Sequence, residues 1–174
     1  GAVPVGGGFD GNGAYRFDEY PCSITGLGAY TALPKFTYSA WINRSVNQDN
    51  FLILGSRIGN NTYISMAVIS NRACLHKFAF NSNRDINVAS GSTPIGTGSW
   101  RHIAITYDEG ITKTFVDGVL DGSGFHTNTS YSAVGMQINY ESGVSDTYRN
   151  FKGDISNVKI FNRALSPEEV AIEY

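Results

Sequence analysis

Along most of this chain, apolar and polar residues alternate with a period of two. Between Ser99 and Gly118, Ile103, Ile105 and Tyr107 alternate with His102, Ala104 and Thr106, which gives the segment one strongly apolar face. Asp108-Glu109-Gly110 supplies turn chemistry, with Gly110 free to take positive φ. The return segment Ile111–Val116 is β-branched or aromatic everywhere except Lys113, and it stops at Asp117-Gly118, a type I′ turn pair. The pattern predicts a hairpin. A lone hairpin is not stable in water, so other strands must cover it.

The remaining segments supply those strands. Ala14–Phe17, Phe36–Asn43, Phe51–Leu54, Thr62–Ile69, Ala73–Phe80, Ala133–Tyr140 and Asp154–Phe161 read as strands, and Ile86–Val88 as a weak one. In the last long one, Ile155, Val158 and Ile160 break strict alternation, which predicts a bulge. Gly1–Gly8 reads as an irregular lead-in, and Asp18–Leu33, Ser90–Gly98, Asp121–Ser132 and Glu141–Asn150 read as loops. Ser166-Pro167-Glu168-Glu169 is a capping box with proline at the first helical position, so a short helix should run from Pro167 to about Ile172. Strands recurring roughly every ten residues predict an all-β fold. The spacing suggests a sandwich or a jelly roll, with one short C-terminal helix, in a single domain over residues 1–174.

Composition narrows the partners. The 174 residues carry a formal charge of −2, with 16% charged residues, 13% aromatics and 20 glycines. No basic face can be assembled from so few scattered cations, which argues against nucleic acid. No stretch is long and apolar enough to insert in a membrane, and no signal peptide is visible. Cys22 and Cys74 leave two readings open, one disulfide or two buried thiols.

Five segments in order carry a resemblance: Phe9-Asp10-Gly11; Phe36-Thr37-Tyr38-Ser39-Ala40-Trp41-Ile42; Trp100 through Asp108; Phe115-Val116-Asp117-Gly118; and Phe151 through Ser166. Together they resemble the concanavalin A-like, laminin G-like jelly rolls, a group that includes the pentraxins. The resemblance implies two packed antiparallel sheets with loops at the rims, which narrows the architecture to a two-sheet antiparallel jelly-roll sandwich. It also implies a binding module for sugars, proteins or phospholipid head groups, often holding calcium.

The resemblance implies two places for a calcium ion. The pentraxin pattern falls on Asn60 and Asn61 in one turn, with Glu141 and Asp146 in the loop before the final strand. Calcium takes six to eight oxygens, and this set has two carboxylates and an asparagine where the pattern has an acid. Polar loop tips are the simpler reading there. The second place is Asp10 with Asn12, approached by Asp154.

Sugar sites need an aromatic platform and nearby hydroxyl-binding groups. Phe125, His126, Tyr131, Tyr140 and Tyr148, with Asn139 and Arg149, could form such a rim cluster. No strand carries the Glu-x-Asp-x-x-Glu run of glucanases on this fold, and there is no Gly-x-Ser-x-Gly elbow or zinc-type spacing. Gly6 to Gly11 matches Gly-x-Gly-x-x-Gly but lacks the flanking strand and helix of a dinucleotide site. The expectation is a non-catalytic, extracellular, glycan-binding module working through rim loops. The alternative is a structural or adhesive display domain on a virion, appendage or cell surface, whose partner is another surface protein.

Overall fold

The computed structural model describes residues 2–18, 22–27, 34–47, 51–58, 62–79, 84–126, 133–139 and 150–174. The anticipated hairpin is built from β8 (Trp100–Asp108) and β9 (Ile111–Val116), paired antiparallel from Asp108↔Ile111 to Ile103↔Val116. Both of its turns depend on positive φ: 47° at Glu109 and 106° at Gly110, then 50° at Asp117 and 77° at Gly118. Two successive left-handed residues give the I′ twist that matches the strands.

The hairpin lies within a seven-stranded sheet of order β1-β2-β12-β3-β8-β9-β10. The other members are β1 (Val3–Val5), β2 (Ala14–Phe17), β3 (Lys35–Arg44), β10 (Val119–Phe125) and β12 (Gly153–Phe161). A five-stranded sheet of order β11-β4-β5-β6-β7 packs against it. It contains β4 (Phe51–Ile58), β5 (Thr62–Ile69), β6 (Arg72–Ala79), β7 (Arg84–Ser90) and β11 (Ala133–Ile138). Among the described residues all ten strand pairings are antiparallel.

The period-two pattern decides what meets between the sheets. Tyr38, Ala40 and Ile42 of β3 and Ile103, Ile105 and Tyr107 of β8 face Ile64, Met66 and Val68 of β5 and Leu75 of β6. Burial of each larger side chain contributes about 1.5–3 kcal/mol. One flank of the sandwich is closed. A Cβ on Gly122 would strike the Ser90 carbonyl, and one on Gly124 the Val88 carbonyl, so glycine lets β10 lie directly against β7. The opposite flank is open, with a cavity of about 710 Å³ bordered by Val5, Phe17, Ile24, Leu27, Ile138 and Val158.

The helix α1 (Pro167–Glu173) has the anticipated capping box. Ser166 Oγ accepts from the Glu169 amide, and Glu169 accepts from the Ser166 amide. It packs Val170, with Leu165, on Ala104 and Phe115, on the outer face of the seven-stranded sheet. The bulge in β12 falls between Ser156 and Lys159, with Asn157 at φ 49°.

Four expectations change, the first being that the strand expected over Phe51–Leu54 continues through Gly55 to Ile58 as β4. Gly1–Gly8 contains β1, whose Val3–Val5 pairs with Ala14–Arg16. The loop expected over Asp121–Ser132 begins with strand, because β10 continues to Phe125. The weak strand at Ile86–Val88 extends over Arg84–Ser90. Cys22 and Cys74 are both buried free thiols, and burial pushes the Cys74 thiol up to about 11 despite the hydrogen bond from Ser90 Oγ.

Candidate functional site

Strand register lines up polar groups on the outer face of the seven-stranded sheet. Arg16 pairs with Asp154, Asp154 with Asn43, and Asn43 with Trp100. Register partners point to the same face, so these four form one row across β2, β12, β3 and β8. Arg16 Nε and Nη2 donate to Asp154 Oδ1 and Oδ2 at 2.8 and 3.0 Å, a bidentate pair. The Arg16 end of the row opens into a groove of about 360 Å³ bordered by Arg16, Asp18, Asn43, Ser45, Gly98 and Asp154. Gly153 lies at φ 139°, and a Cβ there would strike the Asn43 carbonyl, so only glycine lets β12 enter the sheet here. Beneath, Arg44 is buried and donates from Nη1 to Asn71 Oδ1 and to the Ile95 carbonyl, while its own carbonyl accepts from the Gly98 amide.

The adjacent row is closed by aromatics. Trp41 is buried beneath Phe9, stacked on its face, and beneath Tyr174, whose ring centroid is 5.3 Å away. His102, the register partner of Trp41, is buried beside them with Nε2 3.2 Å from Ser39 Oγ. Burial pushes its imidazole down to about 4 against the opposing pull of Asp117, so it is neutral at pH 7.

The anticipated sugar rim is only partly within the described residues. Phe125 ends the edge strand β10 with two-thirds of its surface exposed, its ring edge facing Gly110 in the β8–β9 turn. His126 follows, its amide donating to the Gly110 carbonyl. At the same turn Lys35 pairs with Asp108 at 2.8 Å and with Glu109 at 3.7 Å. Asn139 does not belong to a rim. It is buried, its Nδ2 donates to the Cys22 and Phe151 carbonyls, and its Oδ1 accepts from the Phe151 amide. With φ at 55°, it is a structural clamp with no amide group left for a ligand. Tyr131, Tyr140, Tyr148 and Arg149 lie outside the described residues, as do Asn60, Asn61, Glu141 and Asp146 of the first calcium set.

The second calcium set is described and does not fit the ion. Asp10 Oδ1 accepts from the Asn12 amide at 3.0 Å, and Oδ2 accepts from Asn12 Nδ2 at 3.0 Å and Asn157 Nδ2 at 3.2 Å. Those bonds hold the Asp10 carboxyl below its ordinary range, led by the Asn12 amide. Both Asp154 carboxylate oxygens are engaged by Arg16. One carboxylate capped by three N–H groups is a poor match for a cation that takes six to eight oxygens. Among the described residues no group of three His, Cys, Asp or Glu side chains converges on a point. Asn157 was missed from sequence because only the bulge turns it toward Asp10.

Several solved structures share the frame. Domain 4 of AbnA, a GH43 extracellular arabinanase from Geobacillus stearothermophilus, in complex with arabinotriose, is 19% identical with a TM-score of 0.78, over 99% of this chain and 80% of that one. The native heptameric SAP-like pentraxin from Limulus polyphemus is 18% identical with a TM-score of 0.68, over 91% and 78%. The IT-sialidase CBM40 of Ruminococcus gnavus, bound to α2,3 sialyllactose, is 11% identical with a TM-score of 0.67, over 87% and 95%. At these identities the likeness is one of fold. A family model described as the concanavalin A-like lectin/glucanases superfamily matches residues 25–171, and with the two-sheet sandwich in place the chain belongs to that superfamily.

Proposed function

We propose that this chain is a non-catalytic glycan-binding module that acts outside the cell. The observation that carries this reading is the likeness, over 99% of the chain, to an arabinanase domain whose structure holds arabinotriose. A glycan array probed with the full chain tests the reading. Selective saccharide signals support it, and silence across the array counts against it. Release of product from any polysaccharide would overturn the non-catalytic part.

One feature favours the display-domain alternative. Val119 and Leu120 at the start of β10 are 69% and 50% exposed, and Ile172 of the nearby helix is 82% exposed. Apolar surface at the edge of a sheet suits packing against a neighbouring domain or protein. Light scattering across a dilution series tests it: self-association that Leu120→Lys and Ile172→Lys abolish would support the alternative.

A further inference from the structure

The polar row on the outer face of the seven-stranded sheet has no task in the fold that requires all its members. The core lies on the other face, the helix packs on Ala104 and Phe115, and the aromatic cap covers Trp41. The row instead combines a carboxylate, a guanidinium, a carboxamide and an indole in one line. Adjacent strands lie about 4.8 Å apart, so its three steps span roughly 14 Å, the length of a short oligosaccharide.

We propose that this row, Arg16–Asp154–Asn43–Trp100 with the groove at its Arg16 end, is a subsite for a neutral, hydroxyl-rich oligosaccharide lying across the strands. The inference rests on the glycan-binding reading and deepens it, because it puts the ligand on the helix-bearing face of the seven-stranded sheet, away from the Phe125 rim. The chemistry of each member fits. The Asp154 carboxylate, oriented by both Arg16 nitrogens and 15% exposed, can accept from a sugar hydroxyl. Arg16 keeps donors on a guanidinium whose side chain is 48% exposed. Asn43, half-buried between Asp154 and Trp100, offers both a donor and an acceptor. Trp100, half-buried at the far end, supplies the apolar face on which a ring can stack. Arg16 and Asp154 cancel in charge, which favours a neutral sugar over an acidic one. Gly98 has no side chain to intrude, and a Cβ there would meet nothing within 4 Å, so that wall stays open.

The test is titration calorimetry of the full chain with a panel of neutral trisaccharides: arabinotriose, xylotriose, cellotriose and mannotriose. The variants are Asn43→Ala, Asp154→Asn, Ser45→Trp and Phe125→Ala. Ser45→Trp fills the groove from an exposed wall and removes no hydrogen-bonding side chain of the row. Thermal melts identify which variants are folded, and the exposed Ser45 position keeps the test available if Asp154→Asn is not. The expected result is a tenfold or greater loss of affinity in Asn43→Ala and Ser45→Trp, with Phe125→Ala within twofold of the parent. Binding that survives Asn43→Ala and Ser45→Trp but is lost in Phe125→Ala would overturn the subsite and leave the glycan-binding reading standing. Absence of binding by the parent chain to the whole panel and to the array would overturn both.

Discussion

Phe9 stacks face to face on Trp41, with the ring planes within 8° of parallel. The two are 32 positions apart in sequence, and the contact fastens the segment before β2 onto the middle of β3. Tyr174, at the other end of the chain, closes over the same indole. Trp41→Ala should therefore cost about 3 kcal/mol or more, in line with removal of a buried aromatic. Phe9, 44% exposed, should cost about 1 kcal/mol when cut to alanine. Urea unfolding of the two variants checks the order, and equal costs would contradict it.

Asn139 should matter for stability and not for ligand binding. Asn139→Ala removes the hydrogen bonds to the Phe151 amide and to the Cys22 and Phe151 carbonyls and puts alanine at φ 55°, for a loss of about 3 kcal/mol. Asn139→Gly relieves the backbone strain and isolates the hydrogen-bond part. Phe125→Ala, at an exposed position, should change stability by no more than about 0.5 kcal/mol. Chemical denaturation separates the three.

His102 should make the fold acid-sensitive above the carboxylate range. Its folded value of about 4 lies below the ordinary 6.5, so the unfolded chain binds the proton first as pH falls. Its contribution is fully present above pH 6.5 and is lost as pH drops toward 4, amounting to roughly 3 kcal/mol at most. His102→Gln should flatten the stability profile between pH 7 and 4.5. An unchanged slope would remove His102 as the cause.

Glu169 acts in a lower window. The hydrogen bond from Arg163, and then the one from the Ser166 amide, lower its carboxyl from 4.5 to about 2. Its contribution is present above pH 4.5 and fades as pH falls toward 2. Ser166→Ala removes the other half of the capping box and should cost about 1 kcal/mol at neutral pH. Thermal melts of the parent chain and Ser166→Ala at pH 7 and pH 3 check this.

Thermal melts with millimolar calcium and with chelator test the ion. The Asp10 corner should give no shift, so the parent and Asp10→Asn should respond alike to calcium. A rise in Tm that is absent from Asp10→Asn would show that calcium displaces the Asn12 and Asn157 bonds. A rise that survives Asp10→Asn but is lost in Glu141→Gln with Asp146→Asn would assign the ion to those loops.

The sequence by itself determined the succession of strands, the β8–β9 hairpin, the β12 bulge and the helix with its cap. Each is a local matter: alternation over a few residues, a glycine or asparagine at positive φ, a serine three residues before a glutamate. Tertiary structure alone decided which residues share a surface. Arg16 and Asp154 are 138 positions apart, and register places them side by side. Asn139 resembled a rim amide because sequence does not show that the chain folds over it, placing the Cys22 and Phe151 carbonyls within its reach. Phe125 read as loop because glycines at 122 and 124 weaken a strand pattern, yet their lack of side chains is what lets β10 lie against β7. Alternation tells a residue which side of its own strand it occupies; only pairing between distant strands tells it who its neighbours are.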